Sequence, residues 1–348
     1  MQPLVIDGTK ITAGRRVRLE MPVAKLYTDT DICIPVEVIR GKKDGPTLFV
    51  SAAIHGDELN GIEIIRRLIQ LKTLRITNGT LIMVPMINVY GVLNQSRYMP
   101  DRRDLNRCFP GSDKGSLAAR VADKFLDEIV KHCDYGIDLH TGAVHRSNLP
   151  QIRANLKDEE TLSLAEKFGV PVMINSVLRD GSLREAATSM GCKVLLYEAG
   201  QALRFDELSI RAGIRGIINI LGHLGMTSKR SRRKIQSPFR ANTSSWIRAS
   251  ASGIVKNLKH LGDKVSKGEA MANIGDPFGI VLDKVRAPRS GIIIGKQNIP
   301  LVQEGDAMFH IAFFDDEPQD VQETIETMQV ELLPEQERLQ PTNPNDEN

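Results

Sequence analysis

The feature that most constrains the fold is a regular alternation of short apolar runs and amphipathic stretches between residues 47 and 200. The short apolar runs predict buried strands at 47–54, 80–88, 135–140, 149–156 and 193–200. Apolar residues at helical spacing predict helices between them, at 59–71, 116–133 and 158–168. Strands that alternate with helices indicate an α/β domain with a parallel or mixed sheet.

After about residue 245 the pattern changes, because helical periodicity ends and short β-type runs are separated by glycines. A length of 348 residues corresponds to about two domains, so this change predicts a small all-β domain at the C-terminal end. The predicted regions are an α/β domain with leading N-terminal strands at 1–227, a basic linker at 228–244, a β-rich domain at 245–314 and an acidic, largely disordered tail at 315–348.

The net charge of +3 conceals an uneven distribution. Residues 315–348 contain eleven acidic side chains and one basic one, which leaves about +13 on residues 1–314. Part of this excess is an acid-free run formed by Lys229, Arg230, Arg232, Arg233, Lys234 and Arg240. Single-stranded nucleic-acid sites interleave aromatic residues with such runs, and here only Phe239 is near. We therefore predict a solvated linker and no nucleic-acid partner, with a contact to another anionic partner left open.

Composition excludes several classes of protein. The N-terminus lacks a cationic start followed by an apolar run, so no signal peptide is expected. No window approaches 18 uninterrupted apolar residues, so no membrane span is expected either. The four cysteines lie far apart without a CxxC pair, which argues against a thiolate zinc site and favours reduced thiols in the cytoplasm.

Four side chains that can bind metal or move protons fall where predicted strands end. His55 and Glu58 follow the first strand in the sequence HGDE, His140 ends the strand YGIDLH, and Glu198 ends the strand VLLYE. Ligands of open α/β sheets bind outside the carboxyl ends of the strands, so these residues should meet at one edge. A single histidine at a strand end is usually structural, but four correctly typed residues at strand ends indicate a site.

Two imidazoles and one carboxylate leave a fourth position open on a catalytic zinc, where water binds. His55, Glu58 and His140 supply that set. A further carboxylate must then take the proton of the water, and Glu198 is the candidate general base.

The segment SRYMPDRRDLNRCFPG (residues 96–111) is unusually polar and arginine-rich. Arg107 can hold a carboxylate with its planar fork, Asn106 can donate through its amide, and Arg97, Arg102 and Arg103 lie close in sequence. By itself the segment is typical of a solvated loop. Beside a zinc site it would instead form the pocket for an anionic end of the substrate.

The motifs HGDE, DLNRCFPG, DLHTG and YEAG, in this order and spacing, resemble the succinylglutamate desuccinylase/aspartoacylase family, over about residues 45–225. The resemblance implies the mixed sheet of the zinc carboxypeptidase superfamily, flanked by helices. It also implies that His55, Glu58 and His140 bind one Zn²⁺, that Glu198 is the general base and proton shuttle, and that Asn106 and Arg107 bind the substrate carboxylate.

Members of this family hydrolyse N-acyl amino acids and carry a β-rich C-terminal domain that shapes the pocket. Two features of aspartoacylases lack an evident counterpart in this chain. Aspartoacylases have another arginine in the substrate pocket, and its spacing from the Asn-Arg pair falls near Met99 here, so Arg97 or Arg102 could replace it. Aspartoacylases also contribute an aromatic residue from the C-terminal domain, which has no equivalent here because no tyrosine follows Tyr197.

The C-terminal region is similar to a biotinyl/lipoyl-type hammerhead, with paired Gly-Asp turns and an Ala-Pro-x-x-Gly step. Carriers of this type place the modified lysine at a hairpin tip. The corresponding tip, GDPFG at 275–279, has no lysine, so we expect an unmodified structural domain.

The function predicted from these features is a zinc-dependent amidohydrolase of linear amides, which deacylates a small N-acyl amino acid or related compound in the cytoplasm. Two alternatives remain open at this point. One is a zinc carboxypeptidase that trims acidic residues from a peptide, and the other is a non-enzymatic module that binds an anionic partner. The protein is a possible homo-oligomer.

Overall fold

The computed structural model describes residues 2–228, 238–313 and 321–332. The strands are β1 (Leu4–Ile6), β2 (Thr9–Ile11), β3 (Arg16–Lys25), β4 (Asp31–Arg40), β5 (Lys43–Ala52), β6 (Asn78–Val84), β7 (Tyr135–Gly142), β8 (Arg146–Ala154), β9 (Val172–Asn175), β10 (Lys193–Gln201), β11 (Phe239–Ala241), β12 (Thr243–Arg248), β13 (Gly253–Asn257), β14 (Lys264–Val265), β15 (Ala270–Gly275), β16 (Val281–Arg286), β17 (Gly291–Gln297), β18 (Leu301–Val302) and β19 (Ala307–Phe313). The α-helices are α1 (Asn60–Gln70), α2 (Val89–Leu93), α3 (Leu117–Glu128), α4 (Glu159–Phe168), α5 (Leu183–Ser189), α6 (Glu207–His223) and α7 (Val321–Leu332). Short 3₁₀ turns occupy Leu105–Arg107 and Val130–His132.

A mixed sheet of thirteen strands, counted over the described residues, organises the molecule. Its centre is parallel, with β6, β5, β7 and β10 side by side. Strands β4 and β3 extend one side in antiparallel pairing, and β8 continues the other side antiparallel to β10. Because β5, β7 and β10 run the same way, their carboxyl ends lie on one edge of the sheet. The mixed α/β sheet predicted from the alternation is therefore confirmed.

Helices cover both faces of this sheet, as its apolar strands require. On one face, α1, α4 and α6 bury a cluster that includes Ile64, Phe168 and Ile217. On the other face, α3 and α5 bury Phe125 and Leu183. Ser116 begins α3 as predicted, since its side chain accepts a hydrogen bond from the Ala119 backbone N–H.

The β-rich C-terminal region does not stand apart from this sheet. Strand β17 pairs with β19 on one side and with β8 on the other, so the large sheet continues across the predicted domain boundary. Strands β13, β15, β16 and β18 form a separate four-stranded sheet. The hammerhead similarity is not confirmed as a separate domain, because the C-terminal strands divide between two sheets. The hairpin tip 275–279 joins β15 to β16.

Two predicted regions differ locally from the structure. Within the predicted linker, β11 pairs in parallel with β9, so residues 239–241 belong to the sheet. Within the predicted disordered tail, residues 321–332 form α7, whose Ile325, Met328 and Leu332 are buried. Apolar residues with helical spacing interrupt the acidic composition here, and burial of those side chains favours a helix. The basic residues 229–234 lie outside the described residues.

Within the described ranges, no helix is both long and apolar enough to cross a membrane. All four cysteines are free thiols, and Cys192 is buried.

Candidate metal centre and active site

The turn between β5 and α1 places the first two candidate ligands. Strand β5 ends at Ala52, and the chain then folds back so that the Glu58 backbone N–H donates to the His55 carbonyl at 3.2 Å. Gly56 is required in this turn, because a Cβ there would lie 1.9 Å from the Gly91 carbonyl carbon. The sequence HGDE therefore places two side chains at the sheet edge while its glycine packs against α2.

The other two candidates come from neighbouring parallel strands. His140 lies near the end of β7, and Glu198 lies opposite it on β10, where the two residues are register partners. The structure thus brings all four predicted residues to one edge, as the strand-end argument requires.

His55, Glu58 and His140 form a compact and buried cluster. One ligand atom from each residue lies within 4.8 Å of the others, and the three residues are at most 5% exposed. Both imidazoles turn Nδ1 toward the Glu58 carboxylate, at 2.8 Å for His55 and 2.9 Å for His140. The Thr141 backbone N–H and the Arg97 guanidinium also contact this carboxylate, at 3.1 and 3.4 Å.

The second nitrogen of each imidazole contacts another carboxylate. His55 Nε2 lies 3.1 Å from Asp104, and His140 Nε2 lies 2.7 Å from Asp138. Asp138 is itself held by the Ser51 hydroxyl, which donates at 2.9 Å. Carboxylates behind metal-bound histidines fix the ring orientation and the tautomer. Each ring is therefore oriented with Nδ1 toward Glu58.

The electrostatics of the cluster follow from this arrangement. Burial alone would lower the pKa of His140, but the charges of Asp138 and Glu58 outweigh it and raise that pKa well above its usual value. The pKa of Glu58 is lowered despite its burial, because the two imidazolium charges stabilise the carboxylate. Three carboxylates around two rings make a strongly cation-attracting centre.

The donor set fits a divalent metal ion. Two imidazole nitrogens and one carboxylate oxygen are ligands that zinc prefers, and three protein ligands leave a position for water or substrate. Orienting carboxylates stand behind both rings, which is the second requirement of a stable site.

A cavity of about 670 Å³ opens over this cluster. Its walls carry more positive than negative side chains, the positive ones being Arg97, Arg107, Arg146, Arg153, Arg179 and Arg184. Negative lining residues are Glu58, Asp138, Asp180 and Glu198. Because Glu58 and Asp138 face the imidazoles, the remainder of the cavity favours an anionic ligand.

Glu198 is held at the cavity wall by two neighbours on β8. Asn148 Nδ2 donates to a Glu198 carboxylate oxygen at 2.9 Å, and Arg153 forms an ion pair with the same oxygen, with Nε 3.2 Å away but not in hydrogen-bond geometry. The Glu198 side chain is 20% exposed. Solvent or a ligand can therefore still reach this carboxylate.

The structure separates the residues of the arginine-rich loop. Asn106 and Arg107 both line the cavity, and Asn106 Oδ1 also accepts from the Leu183 backbone N–H at 2.9 Å. Burial and the nearby charges of Arg179 and Arg97 lower the pKa of Arg107 although Asp104 opposes this, as expected for a cation not fully neutralised by the protein. Arg97 reaches the site through its ion pairs with Asp104 and Glu58.

Arg102 is not brought to the site, which corrects the choice left open between it and Arg97. Arg102 is exposed and does not line the cavity. Its backbone adopts a left-handed conformation, with φ at 62°, in a turn where its N–H donates to the Met99 carbonyl. Of the two arginines, Arg97 is therefore the one that lines the cavity.

The sequence did not indicate several of the residues that line the cavity, among them Arg153, Arg184 and Trp246. Arg153 and Arg184 come from β8 and α5, where no motif marks them. Arg184 is 6% exposed, and burial with the charge of Arg153 lowers its pKa to about 10. Trp246 on β12 supplies an aromatic side chain from the C-terminal region to the cavity wall. The family resemblance implies a tyrosine at such a position, and no tyrosine follows Tyr197.

Comparison with known proteins supports the fold and the family resemblance. The profile of the succinylglutamate desuccinylase/aspartoacylase catalytic domain matches residues 44–224, just over half of the chain. Among characterised proteins, the N-alpha-acetyl-L-2,4-diaminobutyric acid deacetylase of Halomonas elongata is 27% identical over 298 residues, covering 81% of this chain and 86% of that protein.

Solved structures agree along nearly the whole length. The product-bound ectoine utilization protein EutE from Ruegeria pomeroyi superposes with a TM-score of 0.77 at 23% identity, over 90% of this chain and 98% of its own. A succinylglutamate desuccinylase/aspartoacylase from Rhodobacter sphaeroides gives a TM-score of 0.73 at 25% identity, over 86% and 97% of the two chains. The C-terminal β strands therefore belong to an architecture that these proteins share.

Proposed function

The chain belongs to the succinylglutamate desuccinylase/aspartoacylase family, and on that premise we propose that it is a zinc-dependent deacylase of small N-acyl amino acids or related compounds. The observation that carries the proposal is the buried cluster of His55, Glu58 and His140 at the floor of an arginine-lined cavity. Metal ligands and anion-binding groups within one cavity are what hydrolysis of a carboxylate-bearing amide requires.

In this proposal His55 Nδ1, His140 Nδ1 and a Glu58 oxygen hold Zn²⁺. Bound zinc supplies Lewis-acid polarisation of the amide carbonyl and lowers the pKa of water to about 7. Asp104 and Asp138 keep both rings in the tautomer that turns Nδ1 to the metal.

Glu198 is the proposed general base. Its carboxylate accepts a proton from the attacking water and returns it to the leaving amine, so it moves protons in both halves of the reaction. Asn148 and Arg153 occupy only one carboxylate oxygen in the contacts described. The other oxygen is the one we assign to the water.

Arg107, with Arg97 and Asn106 beside it, is proposed to bind the substrate carboxylate. A guanidinium binds a carboxylate through two parallel hydrogen bonds, which fixes orientation as well as position. Holding the substrate at a remote group in this way places its amide correctly over the metal.

The substrate class follows from the size and charge of the cavity. A volume of about 670 Å³ suits a small molecule, and the excess of arginine favours one that carries a carboxylate. The relatives are named for deacetylase, desuccinylase and aspartoacylase activities, all of which release an acyl group from an amine. A peptide with an acidic C-terminus is the competing substrate.

A substrate panel tests the proposal. Zinc-loaded protein is incubated with N-acetyl and N-succinyl derivatives of acidic, basic and neutral amino acids and with peptides ending in aspartate or glutamate, and amine release is measured. Turnover of free N-acyl amino acids above that of peptides supports the deacylase. Preference for peptides would establish the carboxypeptidase instead, and protein that neither retains zinc nor releases any amine would overturn the proposal.

A further inference from the structure

A third buried histidine, beside His55 and His140, lies behind the cavity wall, on a strand of the C-terminal region. His310 on β19 is 4% exposed, and its ring stacks on Trp246 with centroids 4.8 Å apart and planes at 15°. It pairs in register with Trp246 on β12 and with Gly295 on β17. Unlike Trp246, His310 does not line the cavity, so it lies behind the residues that do.

The contacts of this ring determine its protonation state. Arg153 Nη2 lies 3.3 Å from His310 Nδ1, and a guanidinium can only donate, so Nδ1 must accept. The proton is then on Nε2, which lies 3.0 Å from the Ser244 hydroxyl. Burial and the charge of Arg153 lower the pKa of His310 to about 3, which agrees with a neutral ring.

Arg153 connects this ring to the proposed general base. Its Nη2 is directed to His310, while the same guanidinium forms an ion pair with the Glu198 oxygen that Asn148 also contacts, with Nε 3.2 Å away but not in hydrogen-bond geometry. One rigid guanidinium thus spans a residue of the C-terminal strands and a residue of the α/β sheet.

We propose that His310 is a positioning residue for the hydrolysis, acting through Arg153 to fix the carboxylate of Glu198. The proposal rests on the assignment of Glu198 as general base. A neutral acceptor is suited to this role, because it orients the guanidinium without competing for its charge. A carboxylate in the place of His310 would draw Arg153 away from Glu198.

Gly295 makes the arrangement possible. A Cβ at this position would lie 2.9 Å from Asn148 Oδ1 and 3.0 Å from His310 Cβ, closer than side chains normally pack. The glycine on β17 therefore lets His310 and Asn148 approach from the strands on either side.

Two substitutions at His310 separate positioning from packing. His310→Phe keeps a ring on Trp246 but removes the acceptor, whereas His310→Asn keeps an acceptor near Nδ1 and loses the ring. We expect His310→Phe to lower kcat about ten-fold with KM nearly unchanged and zinc content full, since a hydrogen bond to a charged group is lost. His310→Asn should retain most of the kcat. The reverse order of the two variants would mean that the ring only packs, and would overturn the proposal.

A double-mutant cycle tests the route through Arg153. Arg153→Met should lower kcat, and adding His310→Phe to it should cause no further loss, because the two residues act through one guanidinium. Independent, additive losses would overturn the proposal. If His310→Phe is insoluble, Arg153→Lys decides: it keeps the charge without the fork, and an unchanged kcat would show that Arg153 does not fix Glu198.

Glu198→Gln in the same assay shows whether the proposed role of Glu198 is wrong or only the positioning role of His310. If Glu198→Gln retains wild-type turnover, the proposed role of Glu198 is wrong and the positioning role falls with it. If Glu198→Gln is inactive while the His310 and Arg153 variants match the wild type, only the positioning role is wrong.

Discussion

His140 and His310 are both buried, at 5% and 4% exposure, and both lie on strands of the same thirteen-stranded sheet. Their environments are nevertheless opposite. Burial opposes the charged form of each, but Asp138 and Glu58 raise the pKa of His140, whereas the charge of Arg153 adds to burial and lowers that of His310 to about 3.

The difference shows how the cavity is divided. Around His55 and His140 the protein gathers carboxylates, which attract a cation, and around His310 and Glu198 it gathers arginines, which favour an anion. On the proposed function, the metal ion and the carboxylate of the substrate would therefore bind at separate places in one cavity. Two equally buried histidines can therefore differ in charge state, because the charges of neighbouring residues shift their pKa values in opposite directions.

The largest expected effect comes from removing a residue of the carboxylate-rich side. In His140→Ala one of the three proposed metal ligands is lost, so we expect zinc content to fall toward zero and activity to fall to background. Metal analysis of the purified variant measures this, with the exposed His260→Ala as the matched control. Full zinc occupancy in His140→Ala would remove that residue from the ligand set.

Glu198→Gln tests the arginine-rich side of the cavity without removing a proposed metal ligand. We expect zinc content and thermal stability to be retained while kcat falls ~10²–10⁴-fold, as for the loss of a general acid–base group. Glu166→Gln, on the exposed face of α4, is the control. A kcat within a few-fold of wild type would show that another group takes the proton.

Asp138→Asn tests whether the carboxylate that contacts His140 Nε2 increases the affinity for zinc. The neutral amide cannot stabilise the ring as a carboxylate does, so zinc affinity should fall ~10–100-fold while the ligands remain in place. Competition with a zinc chelator measures the change. Equal affinities in wild type and variant would show that Asp138 has no influence on the metal.

Arg107→Lys tests anion binding by the arginines. The charge is kept but the fork is lost, so KM for a carboxylate-bearing substrate should rise ~10-fold. Arg102→Lys changes an arginine of the same loop that does not line the cavity, and it should have no effect. Similar kinetics for both variants would indicate that Arg107 faces solvent during the reaction.

The smallest expected effect is a difference in pH dependence. In the unfolded chain His310 has a pKa near 6.5, whereas in the folded protein its pKa is about 3. Between these two pH values His310 is protonated in the unfolded chain and neutral in the folded protein. His310 therefore makes the protein less stable as pH falls, by up to ~1.4 kcal/mol per pH unit. Urea unfolding at pH 7 and pH 5 should show a flatter dependence for His310→Asn, and equal slopes would contradict the neutral, buried ring.

Much of the α/β sheet could be predicted because its determinants are local. The apolar run 193–200 became β10 and the pattern at 59–71 became α1 with only small shifts of their ends. The rule that ligands meet at carboxyl strand ends then brought His55, Glu58, His140 and Glu198 together without any knowledge of distances. The choice between Arg97 and Arg102 could not be made this way, because it depends on a local turn of the chain. That turn leaves the Arg97 side chain in the cavity and the Arg102 side chain in solvent.

The sequence by itself determined the central strands β5, β6, β7, β8 and β10, the helices α1, α3 and α4, and the residue types at the sheet edge, since periodicity and strand ends are properties of short segments. Only the tertiary structure decided which strands became neighbours beyond β8. Arg153 and His310 are 157 residues apart in sequence, and no motif marks either of them. They meet because β17 pairs with both β8 and β19, and such pairing depends on the register of distant strands packed together. Through the same pairing, the region predicted as a separate domain joins the large sheet and contributes Trp246 to the cavity wall.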